Sequence, residues 1–163
     1  MYRVAIITAS DKGSRGERVD ESGAQIKSIV SQFGYEVSYY KVLPDDREVL
    51  EEEMKKICDE NMADLLLTTG GTGFSPRDNT PEATLAVGEK LVPGISEAIR
   101  NYSMQFTKKA MLSRAVSVIR KETLIINMPG SPKAVKESME CIIPALDHGI
   151  DILKGKASEC ARK

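Results

Sequence analysis

The chain has 163 residues, of which 41% are hydrophobic and 29% are charged, and its formal net charge is −1. This composition is typical of a soluble globular domain that is large enough to bury a core. Near-neutral charge argues against nucleic acid as a partner, because proteins that bind nucleic acid usually carry a basic surface. No apolar run approaches the roughly 20 residues that a membrane-spanning helix needs. Residues 1–3 lead directly into a predicted strand, so we expect no signal peptide and a cytoplasmic protein.

Cysteine and histidine are scarce in this sequence. Cys58, Cys141 and Cys160 are odd in number and widely spaced, a pattern that favours reduced thiols over disulfides or a zinc site. His148 is the single histidine. Histidine-clustered metal sites and a second imidazole for acid–base chemistry are therefore excluded.

The first segment of the chain predicts a strand, a loop and a helix. Residues 4–8 are a β-branched run typical of a buried central strand. Residues 10–20 are polar and contain glycine, which fits either a solvated loop or a loop that faces a ligand. Because this loop leaves the carboxyl end of a central strand, where open α/β sheets bind ligands, we favour the second interpretation. Apolar residues at helical spacing then predict a helix over about 22–32, which Gly34 ends.

A second strand and helix follow. Residues 36–43 alternate in the manner of a strand, and residues 47–61 place their apolar side chains on one helical face. Asp45 and Asp46 lie between these two elements. Either aspartate is a candidate N-cap of the helix, and capping is the commoner role for an aspartate at this place.

The stretch after this helix combines a strand, a glycine loop and a helix start. Leu65–Leu67 form a short apolar run that suits a strand of a parallel sheet. Gly70, Gly71 and Gly73 then allow a backbone with positive φ whose N–H groups can approach a ligand. Thr80–Glu82 offer a hydroxyl cap, a proline and a carboxylate for the first turn of a helix. The order strand, glycine loop, helix N-terminus is typical of a phosphate site, although such a turn is often only a tight connection.

The next part of the chain predicts helices and a pair of strands. The helix that begins near Thr80 continues toward Lys90, and residues 95–106 carry a second amphipathic pattern. Residues 115–119 and 124–127 are two strand-like segments separated by four polar residues. They are predicted to form a hairpin or an adjacent pair.

The last part of the chain repeats the strand–glycine–helix order. Residues 127–132, NMPGSP, contain a glycine turn, a serine cap and a proline for the first helical position. One helix is predicted to end at Pro144, and a separate last helix is predicted over residues 145–153. The tail from about Gly155 is expected to fray.

The alternation of strands and helices predicts the fold class α/β. We expect one three-layer α/β/α domain over residues 1–163, with a mostly parallel sheet flanked by helices and one antiparallel edge strand. In a parallel sheet the loops after four of the strands would share one edge. These loops comprise Ser10–Arg15, Asp45–Asp46, Gly70–Asp78 and Pro129–Ser131. Backbone N–H groups, helix N-termini and carboxylates that converge there suit a nucleotide and a Mg²⁺ ion.

The string TTGGTGFSPRDNTPEAT, residues 68–84, resembles the signature of a known family. It is similar to the molybdenum cofactor biosynthesis proteins, namely the molybdopterin adenylyltransferases (MogA/MoaB-type) and the equivalent domain of gephyrin, and the resemblance extends over nearly the whole chain. It implies transfer of AMP from Mg-ATP to molybdopterin, giving adenylylated molybdopterin and pyrophosphate. It also implies a homotrimer and a separate molybdate-inserting protein that receives the product.

The resemblance also implies the site residues. The two essential aspartates of the family match Asp45 and Asp78, which are the candidate catalytic residues and Mg²⁺ ligands, although Asp46 could replace Asp45 after a shift of one residue. Asn79 departs from the family pattern, where Val is usual. The candidate nucleotide- and pterin-binding residues are Ser10, Asp11, Ser14, Arg15, Thr69, Gly70, Gly71, Thr72, Gly73, Pro129, Gly130 and Ser131.

Two other functions remain open at the level of sequence. The first is a non-catalytic pterin-binding protein of the same fold, and the second is a structural subunit whose glycines only shape turns. The motif of P-loop NTPases and the dinucleotide-binding motif G-x-G-x-x-G are absent. The nucleophile motif G-x-S-x-G of serine hydrolases is absent as well. The carboxylate pair discriminates between the candidates, because an enzyme needs both aspartates to face the glycine loops.

Overall fold

The computed structural model describes residues 1–156. The six strands of this part of the chain form one sheet. Numbered in chain order, they lie side by side in the order second, first, third, sixth, fifth, fourth. The strands are β1 (Arg3–Ala9), β2 (Glu36–Leu43), β3 (Leu65–Thr69), β4 (Lys90–Leu91), β5 (Ser117–Arg120) and β6 (Thr123–Met128). Strands β2, β1, β3 and β6 are parallel, whereas β5 runs antiparallel to both β6 and β4. The predicted mostly parallel sheet is confirmed, and its antiparallel strand is β5, one position inside the two-residue edge strand β4.

Helices cover both faces of the sheet. They are α1 (Asp11–Ser14), α2 (Glu21–Gln32), α3 (Arg47–Asp59), α4 (Thr80–Val87), α5 (Pro93–Ser103) and α6 (Pro132–Leu153), with a 3₁₀ turn at Lys108–Leu112. Helices α2, α5 and α6 pack on one face, and α3 and α4 pack on the other. The three-layer α/β/α architecture predicted from the sequence is thereby confirmed.

The period of two in the strands produces two separate apolar cores. In β1, Val4 and Ile6 belong to the core under α2 and α6, whereas Ala5 and Ile7 belong to the core under α3 and α4. All four side chains are fully buried. A strand that is buried on both faces carries mostly apolar side chains. We therefore expect the polar residues that bind or react with a ligand to lie on the loops at the strand ends.

The predicted break at Pro144 is wrong. Helix α6 runs without interruption from Pro132 to Leu153 with Pro144 inside it. Proline removes one backbone hydrogen bond, to the carbonyl group of Glu140, which lies on the exposed face of the helix. The buried side chains Ile143 and Leu146 on either side of the proline pack into the core and hold both halves on one axis.

Several small elements were not expected from the sequence. Helix α1, the strand β4 and the 3₁₀ turn were not predicted, and α4 ends at Val87 rather than near Lys90. The β5–β6 pair is the predicted hairpin, with Lys121 at φ 51° in its turn. Of the tail, Gly155 and Lys156 still donate backbone hydrogen bonds to the end of α6, and the rest lies outside the described residues. Over residues 1–156, no helix has the length and apolar character needed to cross a membrane.

Candidate active site at the carboxyl edge of the sheet

The carboxyl ends of β1, β2, β3 and β6 open onto one cleft with a volume of about 510 Å³. The predicted site residues that line it are Ser10, Asp45, Thr69, Gly70, Gly71, Asp78, Gly130 and Ser131. The remaining lining residues are Thr8, Ala9, Gly13, Arg18, Val19, Asp20, Glu21, Ser22 and Pro132. The four loops therefore meet at one edge, as parallel strands require.

Glycine allows the loops after β1, β3 and β6 to touch through their backbones. Gly70 has φ +88°, and a β-carbon at this position would lie 2.4 Å from the carbonyl oxygen of Ala9. A β-carbon on Gly130 would lie 3.5 Å from the Gly70 α-carbon. The Thr69 hydroxyl donates to the Pro129 carbonyl oxygen at 2.6 Å, which joins the last two loops. Any side chain at Gly70 would push the loops apart.

Gly71 is constrained by a residue of the next helix and by a carboxylate. Its φ is +70°, and a β-carbon would lie 2.3 Å from Thr80 Oγ1 and 3.3 Å from Asp45 Oδ1. The Gly71 carbonyl oxygen accepts a hydrogen bond from the Thr80 N–H at 3.2 Å. This glycine therefore lies between the start of α4 and the loop after β2.

The structure separates the roles of the two neighbouring aspartates. Asp46 is the N-cap of α3 and accepts a hydrogen bond from the Val49 N–H at 3.1 Å. Asp45 lines the cleft, where its Oδ2 accepts from the Asp11 N–H at 3.0 Å, and its own N–H donates to Asp11 Oδ1 at 3.0 Å. Asp45, not Asp46, is therefore the carboxylate of this loop that faces the cleft.

The electrostatics of Asp45 and Asp11 differ because only one of them has a cation. Burial raises the pKa of the Asp45 carboxyl above its ordinary value, and the nearby charges of Asp11 and Asp78 act in the same direction. Arg77 donates two hydrogen bonds to Asp11, at 2.8 and 2.9 Å, and these lower the pKa of Asp11 to about 2. Asp11 is thus committed to Arg77 and to the backbone of Asp45.

Asp78 is not neutralised by its neighbour in sequence. Arg77 turns to Asp11, and the Asp78 carboxylate accepts a hydrogen bond from the Ser75 N–H at 3.0 Å. Within residues 1–156, neither Asp78 nor Asp45 takes part in an ion pair. Two carboxylates without a partner cation therefore line a cleft built from glycine loops and helix N-termini.

Comparison with known proteins agrees with this geometry. A family model described as "Probable molybdopterin binding domain" matches residues 5–148. The chain belongs to this family. The molybdopterin adenylyltransferase of Helicobacter pylori is 38% identical over 162 residues, which cover 98% of this chain and 92% of the relative. That of Haemophilus influenzae is 41% identical over 145 residues, covering 86% and 72%.

A solved structure extends the similarity to three dimensions. The molybdopterin biosynthesis enzyme MoaB from Thermus thermophilus superimposes with a TM-score of 0.89 at 42% identity, covering 98% of this chain and 100% of that chain. The predicted family and the predicted α/β/α fold are confirmed by these comparisons.

The start of α2 contributes to the cleft and was missed as part of the site. Asp20 caps this helix through the Gly23 N–H at 2.9 Å and accepts from the hydroxyls of Thr8, at 2.6 Å, and Tyr40, at 2.5 Å. The Ser22 hydroxyl donates to the Gly130 carbonyl oxygen at 2.6 Å. These bonds fix the helix against the loops after β1 and β6. An aspartate immediately before a helix is a recognisable N-cap pattern, but the contacts of Asp20 with Thr8 on β1 and Tyr40 on β2 are not visible in the sequence.

Arg114 holds the glycine loop from the outside and carries no signal in the sequence. Its Nε donates to the Gly73 carbonyl oxygen and its Nη2 to the Asp78 carbonyl oxygen, both at 2.8 Å. Its Nη1 pairs with the Glu82 carboxylate, and its backbone N–H donates to the Thr72 carbonyl oxygen at 2.9 Å. One side chain thus joins both ends of the segment that carries Asp78.

The other predicted binding residues surround the cleft without lining it. The Ser14 hydroxyl donates to the backbone carbonyl oxygen of Asp11 at 2.8 Å, and Arg15 pairs with Glu17 at 3.0 Å. Thr72, Gly73 and Pro129 contribute backbone carbonyl oxygens that brace the loops. Arg18, rather than Arg15, is the cation that lines the cleft.

Two carboxylates are too few to form a complete metal site from protein side chains, but they are enough for Mg²⁺. No cluster of three or more histidine, cysteine, aspartate or glutamate side chains suited to a metal ion occurs in residues 1–156. Mg²⁺ is usually bound through one or two carboxylates together with water and substrate phosphates. Asp45 and Asp78 are the residues of this cleft that could supply such an incomplete set of oxygen ligands.

Proposed function

We propose that this protein is a molybdopterin adenylyltransferase that transfers AMP from Mg-ATP to molybdopterin and releases pyrophosphate. The observation that carries the proposal is that Asp45 and Asp78, both without a partner cation, line the same cleft as Gly70, Gly71 and Gly130. A non-catalytic pterin-binding protein needs the loops but has no use for this pair of carboxylates. The relatives named molybdopterin adenylyltransferase support the same choice.

The chain's own residues would mainly position the reactants. The acceptor phosphate is already an anionic nucleophile, so orientation and charge stabilisation account for most of the catalysis. The backbone of Gly70 and Gly71 and the N-terminus of α6, at Ser131, would bind phosphate oxygens. Asp45 and Asp78 would hold Mg²⁺. When bound, the ion would act as a Lewis acid at the phosphates and orient the pyrophosphate leaving group.

The charge of the cleft supports the requirement for the ion. Asp20, Glu21, Asp45 and Asp78 line it, and Arg18 is the cation among the lining residues. Two polyanionic substrates in an acidic cleft would repel its walls unless a divalent cation lay between them. We therefore expect no nucleotide turnover after removal of Mg²⁺ with a chelator.

The direct test is to incubate the purified protein with Mg-ATP and molybdopterin. We expect the wild-type protein to form adenylylated molybdopterin and pyrophosphate in equal amounts. The Asp45→Asn variant should form both products much more slowly. Binding of molybdopterin without any product, under conditions in which a known adenylyltransferase is active, would refute the proposal in favour of the pterin-binding protein.

We further propose that the protein acts in the cytoplasm as a homotrimer and passes its product to a separate molybdate-inserting protein. The free thiols of Cys58 and Cys141 are compatible with a reducing compartment. Exposed apolar side chains at Phe106, Met111 and Leu112 support an association between copies.

A further inference from the structure

Thr80 carries a buried hydroxyl that no other described residue satisfies. It is the first residue of α4, its exposed fraction is 0%, and its Oγ1 has no hydrogen-bond partner in residues 1–156. Four buried side-chain oxygens of this part of the chain share that property, and a second one, Glu82 Oε2, lies in the same helical turn. Two of the four unsatisfied oxygens therefore lie in the first turn of α4, which follows the glycine loop; the other two are Ser103 Oγ and Ser138 Oγ.

Two other buried threonines near Thr80 use their hydroxyls. Thr69 donates to the Pro129 carbonyl oxygen at 2.6 Å, and Thr84 donates to the Thr80 carbonyl oxygen at 2.8 Å. At the opposite edge of the sheet, Thr123 donates to the Ala63 carbonyl oxygen at 2.8 Å. Leaving a buried hydroxyl without a partner lowers stability, and a valine would fit the same space without this cost. The hydroxyl of Thr80 therefore needs an explanation other than stability.

The position of the Thr80 hydroxyl next to Asp45 offers an explanation for its presence. Thr80 Oγ1 and Asp45 Oδ1 lie on the same side of Gly71, at 2.3 and 3.3 Å from the point that a Gly71 β-carbon would occupy. Asp45 Oδ2 already accepts from the Asp11 N–H at 3.0 Å. No hydrogen bond from residues 1–156 reaches Asp45 Oδ1. The hydroxyl without an acceptor and the carboxylate oxygen without a donor thus both lie beside Gly71.

We propose that Thr80 is a positioning residue whose hydroxyl donates to Asp45 Oδ1 when the cleft holds the nucleotide, so that both carboxylate oxygens are fixed in the reacting complex. Asp45 then presents a single orientation to the reactants. This inference rests on the proposed adenylyl transfer. The proposed hydrogen bond also requires that residue 71 be glycine, because a β-carbon at this position would crowd both Thr80 Oγ1 and Asp45 Oδ1 and block the contact.

The test compares Thr80→Val, which deletes the hydroxyl, with Thr80→Ser, which keeps it. Loss of one fixed orientation should lower kcat for adenylylated molybdopterin about tenfold, while KM for ATP stays within about twofold. Thr80→Ser should recover most of the lost kcat. Thermal unfolding should show that Thr80→Val has gained about 2–4 °C, because the unsatisfied hydroxyl is gone. If Thr80→Val does not fold, the rates of Thr80→Ser and Thr80→Ala give the same comparison.

Two further variants separate positioning from a general packing effect. In the Asp45→Ala background, which removes the acceptor oxygen, Thr80→Val should change the residual kcat by less than about twofold, because residues that act through one another are not additive. Thr123→Val is the matched control at the far edge of the sheet. It should lower thermal stability and leave kcat unchanged.

The outcomes are distinct. A wild-type protein that makes no product refutes the proposed function itself. An active wild type with an equally active Thr80→Val variant overturns the role of Thr80 alone. A full tenfold loss that persists in the Asp45→Ala background also overturns it, because the effect would not pass through Asp45.

Discussion

Among single residues, Asp78 provides the sharpest test of the proposed chemistry. It lies between a glycine loop and a helix N-terminus, both of which attract anions, and Arg77 does not neutralise it. Asp78→Asn keeps the shape and can still accept from the Ser75 N–H. If the charge acts in the transition state, kcat should fall by at least ~10²-fold, about 2.7 kcal/mol, as on loss of one strong electrostatic contact. Steady-state kinetics of product formation measure this.

The matched control for Asp78→Asn is Asp46→Asn. Asp46 also accepts one backbone hydrogen bond, from the Val49 N–H, but does not line the cleft. Asparagine caps a helix about as well as aspartate, so both rate and thermal stability should stay near those of the wild type. Near-wild-type turnover of a folded Asp78→Asn variant would contradict the role given to Asp78.

Gly71 tests whether the loop binds phosphate or only turns the chain. Gly71→Ala adds a methyl group at φ +70°, against Thr80 Oγ1 and Asp45 Oδ1. We expect the affinity for Mg-ATP to fall by about tenfold or more, because the loop must shift away from the phosphates. Gly34→Ala is the control, since Gly34 has φ +83° and open space around its β-carbon position. Gly34→Ala has a similar backbone cost, but Gly34 does not line the cleft. Calorimetry should therefore find the nucleotide affinity of this variant unchanged.

The sequence predicted the positions of the cleft-lining residues where a local pattern carries them. Glycines after a strand and the PRD-x-TPEAT string placed Gly70, Gly71 and Asp78 at the sheet edge. The choice between Asp45 and Asp46 depended on which of them caps α3, and both satisfy the cap pattern in sequence. Arg114 could not be predicted, because it contacts Gly73, 41 positions away.

At the scale of elements, the connection from β3 to α4 is held in place by the segment before β5. Arg114 bonds the carbonyl oxygens of Gly73 and Asp78 and pairs with Glu82 of α4. Without it, the loop would lose both of its fixed ends. This explains how a segment rich in glycine can present Asp78 in one orientation.

Arg114→Met should loosen that segment. We expect a loss of about 1.5–3 kcal/mol in the free energy of unfolding, in line with hydrogen bonds to a charged group. KM for ATP should rise several-fold as well, because the phosphate loop would no longer be preorganised. Urea unfolding and steady-state kinetics measure the two effects.

Arg120→Met is the matched control for Arg114→Met. Arg120 likewise bonds a carbonyl oxygen, that of Val87 at 3.1 Å, and pairs with Asp59 at 2.8 Å, but none of its hydrogen bonds reaches the glycine loop. Its loss should lower stability and leave KM for ATP unchanged. An equal rise of KM in both variants would show that Arg114 acts only through global stability.

Element prediction succeeded where the apolar period was long and failed where burial overrode a local rule. Each core strand, and each long helix except α6, was predicted within a few residues, because its side chains must face one of two cores. Pro144 does not end helix α6, because the packing of Ile143 and Leu146 outweighs one lost hydrogen bond. The two-residue strand β4 is too short to show a period at all.

At the scale of the whole molecule, the cleft depends on a topology that no single motif contains. Parallel pairing of β2, β1, β3 and β6 brings four carboxyl ends to one edge, so residues as distant as Ser10 and Ser131 line the same space. The order of strands follows from crossover rules and burial rather than from any local pattern. The residues of the proposed active site therefore come together only when the whole sheet has formed.

Three exposed apolar side chains bear on the oligomeric state. Phe106, Met111 and Leu112 are 49%, 60% and 48% exposed, a concentration of apolar side chains that is costly on the surface of a monomer. We expect a trimer in sedimentation equilibrium at micromolar concentration, and we expect Met111→Glu to shift it toward monomers, because a buried unpaired charge opposes association. Phe33→Glu is the control: Phe33 is also 60% exposed but lies at the end of α2, outside this segment. A wild-type monomer would refute the trimer, and equal dissociation by both variants would show that the segment 106–112 is not the contact.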